Sequence, residues 1–250
     1  MTLSERLSQA LTKIRGVLPS GDSLVLLQSK GGRRAVIAAV AIYLTLSLGL
    51  GFYWSMTPDS FDVVENRAKY LKSSDQSITG AATTAALLEV TRLLLEKDGG
   101  YISNDITPPG AFMDNMPNWE YGALIQSRDL ARALREVLSR SQSQSQEDVD
   151  LTLAEPRINF QNSSWALPAT ESEYRDARRY LQAYLDRLPQ SGEDSAQFYA
   201  RADNLSFWLA MVEKRLGSLS QRLSASVGQR RINTDLAGDA AATQSTRENQ

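Results

Sequence analysis

The 250-residue chain contains no histidine and no cysteine. Without them no Ser-His-Asp or Cys-His triad, no His- or Cys-ligated zinc, no His- or Cys-held haem and no cysteine-held iron–sulfur cluster can be built. No disulfide can form either, so packing must hold the fold in whatever compartment it occupies. A dominant charge is lacking too: 27 Lys+Arg stand against 29 Asp+Glu, a formal net of −2. That balance argues against a general nucleic-acid binder. The expectation is therefore a chain with no cofactor, no metal, no catalytic residue of the usual types and no nucleic-acid partner. An apolar fraction of 42% still allows one or two domains with a real core.

What is present begins with a greasy run. Ala35 to Tyr53, AVIAAVAIYLTLSLGLGFY, has 19 residues, no charge and only Thr45 and Ser47 as polar interruptions. As a helix it measures roughly 28 Å, the thickness of a bilayer's hydrocarbon core. Lys30, Arg33 and Arg34 abut its start, and Tyr53 and Trp54 stand where amphipathic rings prefer the headgroups. Residues 1–34 hold six basic and two acidic groups, against 21 basic and 27 acidic in residues 35–250. The positive-inside rule then puts the N-terminus in the cytoplasm and the remainder across the membrane. A cleaved signal peptide fits less well, since its n-region would be 34 residues long and SMTPDS offers no A-x-A-like site. A buried core helix fits poorly as well, because the run exceeds the usual length of one.

The chain divides accordingly into a cytoplasmic basic amphipathic segment (1–34), a transmembrane helix (35–54), a helical domain on the far side of the membrane (55–227) and a disordered tail (228–250). Leu3, Leu7, Ala10, Ile14 and Val17 give the first segment its helical period. Modest periodicity predicts a helix over 61–72, and stronger periodicity one over 79–97, where a thin stripe of Glu89, Arg92 and Glu96 interrupts an apolar circumference. Gly99-Gly100 is read as its stop. A Pro-rich aromatic loop follows, and a helix resumes over 118–140. SQSQSQ (141–146) reads as a linker. No element is assigned over 147–165, beyond an extended segment around Arg157-Ile158-Asn159-Phe160. Thr170-Glu171-Ser172-Glu173 fits a capping box, opening a helix with Tyr174, Ala177, Leu181, Tyr184, Leu185 and Leu188 on one stripe. Phe198, Ala202, Leu205, Leu209, Val212, Leu216, Leu219 and Leu223 then form an unbroken heptad seam. Helices 79–97 and 170–188 are available in cis, so an intramolecular bundle is the favoured partner of that seam. Ala35/Ala39 and Ser47/Gly51 are small-xxx-small pairs that hint at dimerisation of the membrane helix.

Two clusters are candidate binding features. The loop and the start of the next helix offer Tyr101, Asp105, Phe112, Asp114, Trp119, Glu120 and Tyr121. Glu120 beside Trp119 has the surroundings of a carboxyl with a raised pKa, as in a general acid, although the stronger reading is a glutamate favoured by the dipole near a helix start, with Trp119 simply a core residue. Arg128, Arg132 and Arg135 form a stripe able to dock phosphate or carboxylate groups, with Asp129 and Glu136 nearby favouring an ordinary solvated face.

At GGYISNDITPPGAFMDNMPNWEYGAL (Gly99 to Leu124) and LPATESEYRDARRYL (Leu167 to Leu181) the chain resembles a proteobacterial family of single-pass envelope proteins, the domain of unknown function numbered twenty-three thirty-three. The likeness spans the membrane helix and most of the domain to about Leu223. It implies a Gram-negative inner-membrane protein with its domain in the periplasm, and it carries no activity or site residues.

The expected fold class is all-α, one N-terminal transmembrane helix followed by a periplasmic helical bundle with a long Pro-rich loop. The expected function is an envelope interaction or scaffold module, partnered by the bilayer through residues 35–54 and by another envelope protein through the loop. Two other readings stay open: a wall- or lipid-active enzyme working by carboxylates alone, and a homo-oligomeric assembly subunit joined through residues 198–223.

Overall fold

The computed structural model describes residues 30–71, 78–140, 146–192 and 194–228. The amphipathic segment predicted before residue 30, the Ser/Gln linker up to residue 145 and the tail after residue 228 lie outside the described residues. Among the described residues there are seven α-helices and no strand. The first, α1 (Lys30–Trp54), is one continuous helix of 25 residues that starts before the apolar run. It is long and apolar enough to cross a membrane. Ser47 is its single buried residue, and Val36, Ile37, Leu44, Leu48 and Phe52 all face outward. This chain therefore does not use α1 as a core helix.

The bundle is built from α2 (Val63–Tyr70), α3 (Ala81–Glu96), α4 (Asn115–Ala133), α5 (Val149–Ile158) and α6 (Thr170–Arg187). Asp62 starts α2 by accepting from the N–H groups of Val64 (2.8 Å) and Glu65 (2.9 Å). Helix α3 is central and packs on α2, α4 and α6, with Leu87, Leu88 and Leu94 buried. Its acidic stripe is less solvated than its sequence suggests. Glu89 is buried and accepts from Tyr70 Oη (2.6 Å), Lys69 Nζ (3.2 Å) and Arg92 Nη2 (2.7 Å), which binds α2 to α3. Helix α4 begins earlier than periodicity indicates, because Pro117 falls in its first turn, where a missing N–H costs no intrahelical bond. Its far end widens into a π-turn over Leu134–Leu138. The predicted α6 stripe is the core: Tyr174, Ala177, Leu181, Tyr184 and Leu185 are all buried.

Three local expectations give way to different structure. The stretch around residues 157–160 is not extended, since Arg157 and Ile158 end α5. Asp148 caps that helix through Asp150 N (3.0 Å) and Leu151 N (3.3 Å), and Leu151, Ala154 and Ile158 are its buried face. Pro156 sits inside α5, and the packing of that face against α6 outweighs its helix-breaking tendency. The capping box does not form either. Ala169 holds the N-cap position, while the buried Thr170 hydroxyl accepts from Ser164 N (3.1 Å) and donates to Gln161 O (2.9 Å), so it closes the preceding loop instead.

The third correction concerns the heptad seam. Phe198 lies before α7 (Ala202–Gly228) and packs over Gly80. Within α7 the side chains turned to the bundle are Trp208 and Met211, and Arg215 Nη2 pairs with Asp129 Oδ1 of α4 at 2.7 Å. Leu205, Leu209, Leu216, Leu219 and Leu223 are exposed, and so is every residue from Leu216 to Ala225. The bundle groove takes the bulkier Trp208/Met211 edge, which leaves the 3.5-residue stripe facing outward and not buried in cis.

The chain directions give the bundle two ends. The C-terminus of α3 and the N-terminus of α4 meet around residues 97–114, and the C-terminus of α5 and the N-terminus of α6 meet around 159–169. Trp54, the last residue of α1, packs its indole against Gly99 at the first of these junctions. Both long loops therefore lie at the α1 end of the bundle.

Candidate functional site

The loop between α3 and α4 is ordered by one carboxylate. Glu120 is fully buried in the second turn of α4 and accepts from Ile102 N (2.8 Å), Ser103 N (2.8 Å), the Ser103 hydroxyl and the Lys97 ammonium. Lys97 donates in turn to the carbonyl of Gly100. A buried charge needs this density of partners. Every direction from the Glu120 carboxylate is thus occupied by its own chain, so it works as the staple of the loop.

Tyr101 is buried beneath the loop, meets Tyr174 edge to face at 5.7 Å and donates to Asn162 O at 3.2 Å. Asn104 reaches Ser164 O and Glu171 Oε2, both at 2.9 Å. These bonds join the 97–114 loop to the 159–169 loop as one platform. Asp105 is exposed on it with its carboxylate against Gly110, where no Cβ would fit. Partial desolvation, with the charges of Glu120 and Glu171 behind it, pushes the Asp105 pKa up. Phe112 points outward at the end of a 3-10 turn over Gly110–Phe112. Asp114 occupies the N-cap position of α4 without a side-chain capping bond, and Tyr121 is exposed two turns further on.

The platform also runs along α1. Pro109 lies 3.3 Å from where a Cβ of Gly51 would stand, Tyr43 Oη donates to Pro108 O (3.4 Å), Tyr53 Oη to Asp98 Oδ1 (2.9 Å), and Asn115 Nδ2 to Ser55 O (3.3 Å). The small Ser47/Gly51 face is therefore filled by the chain's own loop.

Trp119 points elsewhere, into an apolar groove of about 510 Å³ lined also by Phe61, Leu87, Val90, Ala123 and Trp208. The indole N–H of Trp208 is buried there without an acceptor. The three arginines do not converge. Arg128 donates to the carbonyls of Ile158 (2.9 Å) and Phe160 (2.6 Å), capping the end of α5. Arg132 pairs with Glu136 at 3.0 Å, and Arg135 with Glu155 (2.8 Å) and Glu147 (3.2 Å). Among the described residues no three acidic side chains are grouped to hold a metal.

Sequence reasoning did not single out Lys97, Ile106, Trp165 or Leu167, all of which belong to the platform. The signal available was negative. Residues 106–113 and 161–170 carry no charge in a chain that is 22% charged.

The arrangement defines a class: an all-helical bundle domain carrying one long apolar helix at its N-terminal side, with the loop between α3 and α4 built against that helix and tied to the loop between α5 and α6. The chain belongs to the family described as "Uncharacterized protein conserved in bacteria (DUF2333)", whose model matches residues 27–250 and so takes in the tail beyond Leu223 as well. No curated protein and no solved structure matches the chain.

Proposed function

We propose that the protein is a membrane-anchored scaffold of the bacterial envelope: α1 crosses the inner membrane with the basic N-terminus in the cytoplasm, and the periplasmic bundle offers the outer stripe of α7 to another helix. The observation that carries the reading is the stripe itself. Leu205, Leu209, Leu216, Leu219 and Leu223 recur at heptad spacing on a helix whose other edge already docks to α4. A stripe of that period fits a second helix in left-handed packing. The anchor is supported by the outward-facing apolar surface of α1 and by its aromatic end docked on the bundle.

Photo-crosslinking side chains placed at Leu209 and Leu216 in native membranes test the scaffold. They should give a discrete crosslinked species that is missing when the probe replaces Lys214, and Leu216→Glu with Leu219→Glu should abolish it. Both positions are exposed, so the unfolding midpoint of the bundle should stay put. Absence of any crosslink, or a large fall in that midpoint, overturns the reading. A species of twice the chain's mass identifies the partner as a second copy.

A further inference from the structure

Resting on the anchor reading above, we infer that the loops 106–113 and 161–169 form a foot that dips into the lipid leaflet beside α1, with acyl chains as its contact. Four large apolar side chains on these loops are mostly uncovered by the chain: Ile106 is 64%, Phe112 82%, Trp165 64% and Leu167 99% exposed. All four stand at the same end of the bundle, because the two loops are tied through Tyr101–Asn162 and Asn104–Ser164.

The height of the surface follows from its contacts with α1. Gly51, against Pro109, is three residues before Trp54, and Tyr43, whose hydroxyl reaches Pro108 O, is eleven before it. At a rise of 1.5 Å per residue these levels lie about 5 and about 16 Å inside the aromatic end of the helix. That range runs from the boundary of headgroups and acyl chains into the hydrocarbon of the leaflet. With α1 in the bilayer, the loop that carries Ile106 and Phe112 stands at the level of its lipid-facing side chains, and a foot exposed to water at this level would have to displace lipid from the helix.

Two further features suit a lipid contact. The whole of 106–113 and 161–169 is uncharged, and Trp165 is the residue type that favours the interface. Leu167 holds a left-handed backbone, φ 52°, which is strained for a branched residue, and its side chain touches nothing in the fold. Its contribution therefore has to come from outside the chain.

The natural absence of cysteine allows a direct test on the full chain in phospholipid vesicles. An environment-sensitive fluorophore is attached to Ile106→Cys, Phe112→Cys or Leu167→Cys, with Leu48→Cys in α1 as the lipid reference and the exposed Val149→Cys, at the opposite end of α5, as the water reference. The foot labels should show blue-shifted emission, quenching by nitroxide-bearing acyl chains and several-fold weaker quenching by iodide than at Val149. If the Leu48 label is in lipid while the foot labels match Val149, the foot is wrong and the anchor stands. An aqueous Leu48 label overturns both. Foot labels shielded from both quenchers place protein on the patch and overturn the lipid assignment.

Discussion

Lys97 closes α3 and Glu120 sits in the second turn of α4, and their side chains meet as an ion pair at 2% and 0% exposure. The pair spans a loop whose backbone is hung on the same carboxylate at Ile102 and Ser103. Removing one partner leaves a buried charge without compensation, which costs about 3–5 kcal/mol. Glu120→Ala should lower denaturant stability in mild detergent by that amount, while the Lys97→Met/Glu120→Leu double variant should lose clearly less. A single variant as stable as the parent would show that the pair is not buried.

Glu89 makes stability depend on acid. Hydrogen bonds from Arg92, Tyr70 and Lys69 hold its carboxyl well down, at about 2 against an ordinary 4.5. A depressed carboxyl contributes stability above its unfolded pKa and loses it as pH falls toward the folded value. The unfolding midpoint should therefore drop between about pH 4.5 and pH 2, and Glu89→Gln should be less stable at neutral pH with a flatter profile across that window. The other phenol-side partner responds inversely: burial and Glu89 push Tyr70 up to about 12, so its ionisation stays outside the working range.

Asp105 has the opposite sign. Its carboxyl is raised by desolvation and by Glu120 and Glu171, so its charged form is disfavoured in the fold. Stability from this group is present below its unfolded pKa and is lost as pH rises through the folded one. Asp105→Asn should raise the melting temperature at neutral pH and leave it nearly unchanged at pH 3. A fall at neutral pH would mean that Asp105 makes a contact the fold needs.

Gly99 and Gly100 separate backbone conformation from contact. Both have positive φ, 82° and 70°, but a Cβ at Gly99 would stand 2.7 Å from the Trp54 ring, whereas at Gly100 the nearest atom is 3.8 Å away. Alanine at either position costs about 1–2 kcal/mol for the left-handed backbone. Gly99→Ala should cost measurably more, and the excess should vanish in a Trp54→Ala background. Equal costs in thermal unfolding would mean that α1 does not dock there.

The helices legible in the sequence were those whose apolar period is decided within the helix. In α6, Tyr174 through Leu185 repeat at helical spacing and every one is buried, so period and core coincide. Helix α5 was hidden by Pro156 and by its shortness, although Asp148 before Leu151, Ala154 and Ile158 is a cap followed by a stripe. The α7 seam shows the limit of periodicity most plainly: the pattern marks an apolar face, but whether it turns inward depends on which edge fits α4, and Trp208 with Met211 fits better. For the candidate site, Glu120 was visible as a carboxylate beside an aromatic, yet its role depends on Lys97, 23 residues away, and on two backbone N–H groups that no pattern displays.

The junction of α1 with the platform, through Trp54 on Gly99, Tyr53 on Asp98 and Pro109 on Gly51, is made at three separate points and not at a single hinge. A bundle bolted to its post in this way keeps one heading relative to it. With α1 anchored in lipid as proposed, neighbouring molecules in the same sheet would have only lateral position and spin about the normal left to match, which would turn a three-dimensional search for the α7 stripe into a planar one.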